Sequence, residues 1–195
     1  MKEETTQSIR SVTHRMINVL DTMQKNKSAN ALLAALRNSV GKPLEQAEDI
    51  WPFLFENVPE EFLSLTGVPT KEETVIYTVL QLYAICMQGS NKNVIVDETF
   101  KGSIGSSLKA GRKVSEDSSA LDRRFNVLIA SDSFEELTYH LRQIIKLVRS
   151  KAELTINFSG LANDLYWFQL GKAQSVCFKW ATDYYSVNSQ EQKND

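Results

Sequence analysis

The 195-residue sequence has no apolar run long enough to span a bilayer, and its beginning, MKEETTQSIR, contains no apolar signal-peptide core. We therefore expect a cytoplasmic protein without a membrane partner. Apolar residues nevertheless make up 42% of the chain, which is enough for a packed core in one domain or two small ones. The polar stretches 1–8 and 186–195 can bury almost nothing, so we expect disordered ends, including a tail over 186–195.

Cysteine and histidine are scarce, with two residues of each kind. Cys86 and Cys177 both lie inside apolar runs, which favours buried thiols over a disulfide in a reducing compartment. His140 follows Glu136 by four residues, a spacing typical of a surface pair on a helix. Because the sequence contains no metal-ligand or nucleophile motif, we expect no metal and no cofactor, and nothing in it supports an enzyme.

Proline is absent from most of the chain, since all four prolines lie within 43–69. We expect short helices joined by turns in that stretch, because proline breaks helix interiors. Two capping boxes then predict helix starts, one from Thr70 to Glu73 and one from Ser133 to Glu136. The run TVIYTVLQLYAICMQ follows the first box and is apolar nearly all round, which predicts a central buried helix.

Apolar residues recur at helical spacing along the rest of the chain. Ser118 or Ser119 is placed to start one helix and Ser159 another, and Gly171 is placed to end the latter. The predicted buried stripes are Ile9, Val12, Met16, Val19 or Leu20, and Met23; Leu121, Phe125 and Leu128; Phe134, Leu137, Leu141, Ile144 and Val148; Leu161, Leu165 and Phe168; and Val176, Trp180 and Tyr184. These stripes predict an all-α fold.

Alternating strands are lacking as well, because no convincing pair of them is visible. The segment NKNVIVDETF at 91–100 is the best candidate for a short extended piece. Its glycine-flanked neighbours suggest a connection near 89–102 between two lobes. We predict an N-terminal helix within 1–27 and an all-helical domain over 28–185, built as a compact bundle or as two small lobes.

The glycines of SIGSSLKAGRKV, residues 103–114, raise the alternative of a phosphate-binding loop. Gly105 is followed by five residues and then by Gly111 and Arg112, so the Gly-Lys-Ser/Thr ending of a P-loop is missing. No strand–helix–strand unit surrounds the segment either. The spacing therefore argues against a nucleotide-binding fold.

Charge is unevenly distributed in a chain whose net charge is −2. Residues 43–75 contain eight acidic residues and one lysine, a net charge of −7. Residues 101–151 contain ten basic and six acidic residues, a net charge of +4. We expect the acidic region to meet basic surfaces of neighbouring subunits or to lie in solvent, and the basic region to carry the binding function.

Five of the basic residues fall on two predicted helices. On the helix that begins near residue 134, Arg142, Lys146 and Arg149 cluster on the side away from the apolar stripe. Such a cluster suits a polyanion whose phosphates lie along the surface, although a solvated helix face explains it equally well. Arg123 points away from the apolar face of the preceding helix, whereas Arg124 flanks that face and is a candidate for a structural salt bridge.

Aromatic residues offer little support for base recognition. Tyr166, Trp167 and Phe168 are consecutive, so they cannot all face inward, yet burial between the last helices explains them more simply than stacking on bases. We therefore expect contacts to the nucleic-acid backbone rather than base reading.

Several short segments, taken together and in their order along the chain, match the pattern of a known family. They are ALLAALRNS at 31–39, SIGSSL at 103–108, Gly111-Arg112, DRRF at 122–125, HLRQIIKLV at 140–148 and INFSGLANDLYWFQ at 156–169. The sequence resembles, over about 28–185, the CasB family, the small subunit of the type I-E CRISPR surveillance complex Cascade. Ser106 stands where the family has an arginine, with Lys109 one turn later, and Asn157-Phe158 stands where the family has Asp-Trp.

The resemblance implies an all-helical protein without catalytic activity. It implies two copies side by side in a complex with other Cascade subunits and a guide RNA, where they hold the guide–target duplex and the displaced strand of the target DNA. The predicted backbone contacts are Arg37, Lys109, Arg112, Lys113, Arg123, Arg124, Arg142, Lys146 and Arg149. Two alternatives are a structural helical adaptor, whose basic face pairs with acidic protein partners, and an uncharacterised helical enzyme.

Overall fold

The computed structural model describes residues 7–89, 94–114 and 118–186, apart from the side chain of Lys113. The predicted tail from residue 187 onward lies outside the described residues, as do residues 1–6. The helices and strands are α1 (Ile9–Lys25), α2 (Asn30–Asn38), α3 (Trp51–Asn57), α4 (Lys71–Cys86), β1 (Val94–Val96), α5 (Ile104–Val114), α6 (Ser119–Ile129), α7 (Phe134–Arg149), β2 (Leu154–Ile156), α8 (Phe158–Trp167) and α9 (Ala173–Tyr185). The predicted all-α class is confirmed, and short 3-10 turns flank α3 as the prolines indicated.

Helix α4 runs through the centre of the molecule and is buried from Val75 to Cys86. Its predicted capping box is complete, because the Thr70 hydroxyl accepts from the backbone N–H of Glu73 and the Glu73 carboxylate accepts from that of Thr70. Helices α1, α2, α7 and α8 pack around it. An apolar helix of this kind is stable only when other helices cover all of its faces, and here they do.

The predicted stripes face the core. Ile9, Val12, Met16 and Leu20 are buried on α1, so Leu20 rather than Val19 continues that stripe, whereas Met23 is only half-buried. Buried residues of α1 and of α9 belong to one continuous hydrophobic cluster, which also includes those of α4, α6, α7 and α8. Burial of this cluster from water is the main force that holds the helices together.

Helices α5 and α9 approach each other closely at Gly105. A methyl group at this position would overlap the backbone carbonyl oxygen of Trp180 on α9. Gly111, two turns later, lies against Leu121 and Val148 in the same way. The glycines that raised the alternative of a phosphate loop are therefore packing residues of a helix.

One feature was not predicted from the sequence, a two-stranded parallel sheet formed by β1 and β2. β1 lies inside the segment 91–100 that was expected to be extended, and the first three residues of that segment lie outside the described residues. β2 has only three residues, which is too short to show an alternating pattern in the sequence. The sheet joins the segment before α5 to the segment before α8.

The cap of α8 differs from the prediction. Asn157 caps this helix rather than Ser159, with Asn157 Oδ1 accepting from the backbone N–H of Gly160 at 2.6 Å. The Asn157 amide also donates to the carbonyls of Glu98 and Phe100, both at 3.0 Å. Asparagine serves here because one side chain can accept from a helix N-terminus and donate to a loop at once.

The junction between α8 and α9 bends at Gly171, which has a φ of 82° that glycine adopts without strain. Burial between the last helices was expected to explain the three consecutive aromatic residues Tyr166, Trp167 and Phe168. It does not explain all three. Phe168 is buried, Tyr166 is half-buried and donates to Glu72, and Trp167 is 46% exposed.

The two cysteines are free thiols. Cys86 is buried, which raises the pKa of its thiol to about 12, whereas Cys177 is half-buried. In the described part of the chain, no helix combines the length and the apolar character that crossing a membrane requires. Nor do the described residues contain a group of three or more histidine, cysteine or acidic side chains arranged to hold a metal ion.

Candidate nucleic-acid interface

Helices α6 and α7 pack side by side and place basic residues on their outer faces. Leu121, Phe125 and Leu128 are the buried positions of α6. Because these recur every three or four residues, Arg123 and Arg124 are left on the outer side, and both are exposed. Arg124, which was a candidate for a salt bridge, is thus open to solvent.

The buried stripe of α7 similarly turns Tyr139, Arg142 and Lys146 outward. Lys146 is exposed, whereas Arg142 is half-buried, and this burial lowers the pKa of its guanidinium. Because none of the described carboxylates forms an ion pair with Arg142, an anionic ligand would relieve the cost of this desolvation. Arg149 departs from the predicted face, as its guanidinium is bound within the protein.

The four outward cations share one property. Among the described residues, no carboxylate lies within 4.0 Å of the side-chain nitrogens of Arg123, Arg124, Arg142 or Lys146. We call these four residues the open cations. Glu136 on the same helix pairs with His140 at 3.8 Å, which agrees with the predicted pairing of that histidine.

Two grooves are lined by three of the open cations, Arg123, Arg124 and Arg142, and Tyr139 lines both grooves. The first has a volume of about 310 Å³ and is lined by Arg123, Arg124, Val127, Tyr139, His140, Gln143 and Ile144. The second has a volume of about 600 Å³ and lies between α7, α4 and the turn after α2, where Arg142 and Lys42 are among its lining residues. The structure thus brings Arg123, Arg124 and Arg142 to one surface.

Arg112 on α5 is engaged differently. Its Nε and Nη2 atoms donate to the two carboxylate oxygens of Asp122 on α6, at 2.8 and 3.2 Å. The guanidinium carbon also lies 5.3 and 5.2 Å from the ring centres of Tyr184 and Tyr185 on α9. The hydrogen bond with Asp122 raises the pKa of Arg112. This side chain therefore ties three helices together.

Asp122 is the centre of this cluster, because it also accepts from the Tyr184 hydroxyl at 2.9 Å. Burial and this hydrogen bond raise the pKa of Tyr184, whose ring stacks on Phe125 at 3.8 Å between centroids. Nothing in the local sequence marks Asp122 as a partner of residues 10 and 62 positions away. Only the tertiary packing of α5, α6 and α9 brings them together.

The remaining predicted contacts lie at two other places. Arg149 donates to the carbonyls of Ile85 and Gln88, and Arg37 donates to the carbonyl of Ala84 at 3.3 Å. Both arginines therefore bind the carbonyl end of α4, where the helix dipole favours cations. Lys109 on α5 donates to the carbonyl of Ser186, and the Lys113 side chain lies outside the described residues.

The residue at the meeting point of the grooves was not singled out in the sequence. Tyr139 is 52% exposed, and its neighbours in the sequence are His140 and the buried Thr138. The helix that contains it was predicted from its apolar residues, which do not include Tyr139. A signal was available, because Tyr139, Arg142 and Lys146 are spaced three and four apart. This spacing puts an aromatic residue on the basic side of an amphipathic helix.

Comparisons with known proteins agree with this fold. The family described as CRISPR-associated protein Cse2 matches residues 32–185 of the chain. The crystal structure of CasB from Thermobifida fusca is 21% identical, with a TM-score of 0.70 over 91% of this chain and 98% of that one. CasB from M. ruber is 23% identical, with a TM-score of 0.67 over 95% and 97% of the two chains.

CasB from Thermus thermophilus is likewise 23% identical, with a TM-score of 0.62 over 90% of this chain and 98% of that one. No curated protein gives a significant match. The likeness to the solved structures establishes the fold, and the family match over residues 32–185 establishes the family. The resemblance seen in the sequence is confirmed, and the chain belongs to the CRISPR-associated Cse2 family, also called CasB, whose members are subunits of type I-E Cascade.

Proposed function

We propose that this chain is a non-catalytic Cascade subunit that binds the nucleic-acid backbone without sequence specificity and so stabilises the R-loop of guide RNA and target DNA. The ligand includes the displaced DNA strand. A second copy of the chain beside the first would extend the same surface along that strand. Arginine binds phosphate in a bidentate way and lysine acts as a point charge, and neither contact depends on the base.

The observation that carries this proposal is the set of open cations. Four positive side chains on two adjacent helices repel one another and lower the stability of the free protein slightly. A structural role would give them carboxylate partners, as Asp122 does for Arg112. A ligand with closely spaced negative charges accounts for the arrangement, and a phosphate backbone is such a ligand.

The size of the effect suits an R-loop. Exchange of a DNA duplex for a guide–target duplex is nearly balanced in free energy, so modest contacts to the displaced strand change its lifetime. Each neutralised phosphate of a single strand contributes a salt-dependent term of about 0.7 to the slope of log affinity against log salt. The other predicted contacts stay predictions of secondary importance, because most of these side chains already bind groups of the protein and would have to bind phosphate in addition. They are Arg37, Lys109, Arg112, Lys113 and Arg149.

Binding of a labelled single-stranded DNA 30-mer, measured by fluorescence anisotropy at several salt concentrations, tests the proposal. The variant carries Arg123→Gln, Arg124→Gln, Arg142→Gln and Lys146→Gln. We expect weaker binding to every sequence and a salt slope smaller by about 2–3, since each lost phosphate contact removes about 0.7.

The matched control changes the same number of exposed cations on other parts of the surface, Arg10→Gln, Lys27→Gln, Lys71→Gln and Lys172→Gln. Its net charge equals that of the test variant, so it isolates position from total charge. Equal slopes for the two variants would remove the open cations from the interface. If DNA binding stays intact while the test variant no longer assembles with the other subunits, the basic face belongs to an adaptor for acidic protein partners.

A further inference from the structure

Tyr139 occupies a position in the basic face that the backbone contacts leave unexplained. Tyr139 is 52% exposed, and its ring and that of His140 meet edge to face, with centroids 5.1 Å apart and an interplanar angle of 78°. About half of the tyrosine thus stays accessible to a ligand. Buried aromatic rings of this protein, such as Phe125 and Tyr184, are covered on both sides by comparison.

Cations flank the ring on both sides. Arg123 and Arg124 line the groove of about 310 Å³ on one side of Tyr139, and Arg142 lines the groove of about 600 Å³ on the other. A strand whose phosphates contact both groups has to pass over the ring. Glu45 and Glu135 also line the second groove, so a phosphate in it is placed best beside Arg142 and Lys42.

We propose that Tyr139 stacks on an unpaired base of a single strand whose phosphates are bound by the open cations. This inference rests on the proposed function and deepens it, because it names the preferred ligand as single-stranded rather than double-stranded. Stacking is tolerant of sequence, since every base has an aromatic face. A duplex keeps its bases inside the helix and offers none to the ring.

The test compares Tyr139→Leu, which removes the aromatic ring, with Tyr139→Phe, which keeps it. The probes are a mixed-sequence single-stranded 30-mer, the same 30-mer made entirely of abasic sites, and the corresponding duplex. We expect Tyr139→Leu to weaken binding to the normal single strand about tenfold and Tyr139→Phe to bind as the native protein does. The salt slope should stay unchanged, because the ring carries no charge.

On the abasic strand and on the duplex, the native protein and Tyr139→Leu should bind equally. An unchanged affinity of Tyr139→Leu for the normal single strand would overturn the stacking role, and so would an equal loss on all three probes. If the substitutions of the open cations reduce binding while Tyr139→Leu does not, only the stacking inference is wrong, and the proposed function stands. If the native protein binds none of the probes, both fail.

A second surface is carried by a separate observation, an apolar groove within the acidic region. It has a volume of about 420 Å³, and Leu44, Trp51, Phe55, Leu63 and Pro69 are among its lining residues. Three large apolar residues of the same region are exposed, Phe55 at 43%, Leu65 at 98% and Val68 at 68%. An apolar cluster of this kind in open solvent marks an interaction site.

The charges around this groove identify its partner. Glu45 lines the groove, Glu48 and Asp49 precede Trp51, and Glu56 follows Phe55, and all four carboxylates are exposed. Lys71 is the only basic residue between positions 43 and 75. We infer that the groove binds a segment of another subunit in which lysines or arginines flank one apolar anchor residue. The apolar lining gives affinity and the carboxylates select the basic segment.

Photo-crosslinking in the assembled complex tests this inference. A photoreactive amino acid replaces Leu65, and one at the exposed Lys25 on α1 serves as the control position. We expect position 65 to crosslink to one basic segment of another subunit, and the crosslink to be lost when Glu45→Lys and Asp49→Lys are added. Crosslinks to nucleic acid, to the second copy or to a segment without basic residues would overturn it, as would a yield no higher than at position 25.

Discussion

The contact of α5 with α6 and α9 and the outer surface of α6 and α7 both contain arginines, yet these arginines have different surroundings. In the first region, Arg112 is held by Asp122 and lies over two tyrosine rings. In the second, Arg123 and Arg124 face solvent, without a carboxylate in reach among the described residues. A positive residue is therefore informative about ligands only once its intramolecular partners are known.

The difference has a consequence that can be measured. Substitutions of the uncharged and acidic residues around Arg112 in the first region should change the free energy of unfolding and leave the salt dependence of DNA binding unchanged. Substitutions of the open cations should do the reverse. The largest stability effect is expected at the centre of the α5–α9 contact and the smallest at the surface.

Trp180→Ala should reduce the free energy of unfolding by about 4 kcal/mol, because it removes a fully buried indole and leaves a cavity. It also leaves Asp164 without the indole N–H that donates to it at 2.8 Å. Urea unfolding followed by circular dichroism measures the loss. Trp167→Ala, at a half-exposed ring, is the control and should cost far less. Equal losses for the two would mean that α9 is not docked as described.

Asp122→Ala should cost roughly 2–3 kcal/mol, because Arg112 and the Tyr184 hydroxyl both lose the acceptor they share. Thermal and urea unfolding measure this effect, with Asp132→Ala at an exposed position as the control. The DNA salt slope of the folded variant should match that of the native protein. A large fall in slope instead would show that Asp122 positions Arg112 for phosphate rather than for the fold.

Gly105→Ala should destabilise the protein by about 2 kcal/mol, because the added methyl group overlaps the carbonyl of Trp180 and separates α5 from α9. Ser106→Ala, one residue later and half-exposed, keeps the helix and should be nearly neutral. Urea unfolding of both variants measures this effect, and the midpoint should be lower for Gly105→Ala than for Ser106→Ala. A stabilised Gly105→Ala variant would contradict the close approach of the two helices.

Much of the fold could be predicted from the sequence, because the signals that predict a helix come from residues close to one another in the chain. The Thr70 box, the Leu137–Val148 stripe and the buried triad of α9 depend on neighbours along the chain, and all three are confirmed. Strand β2 and the Asn157 cap could not be predicted in this way. The first is too short to show a period, and the second is fixed by a loop about 60 residues earlier.

The candidate site divides along the same line. The outward direction of Arg123, Arg142 and Lys146 follows from helical periodicity and was predicted. The engagement of Arg112 with Asp122, and of Arg149 with the end of α4, depends on which helices meet in three dimensions. Helical periodicity predicts on which side of its own helix a residue lies. It does not predict which residues of other helices that side contacts.

The lifetime of the R-loop in the assembled complex tests the central claim most directly. Complexes containing the native chain, the variant with all four open cations changed to glutamine, or the matched control variant are loaded on a labelled target duplex and then challenged with excess unlabelled target. The account predicts that the displaced strand reanneals markedly faster with the open-cation variant, and that the control variant behaves as the native chain does. Equal lifetimes for all three fully assembled complexes would contradict the claim that these four side chains hold the strand.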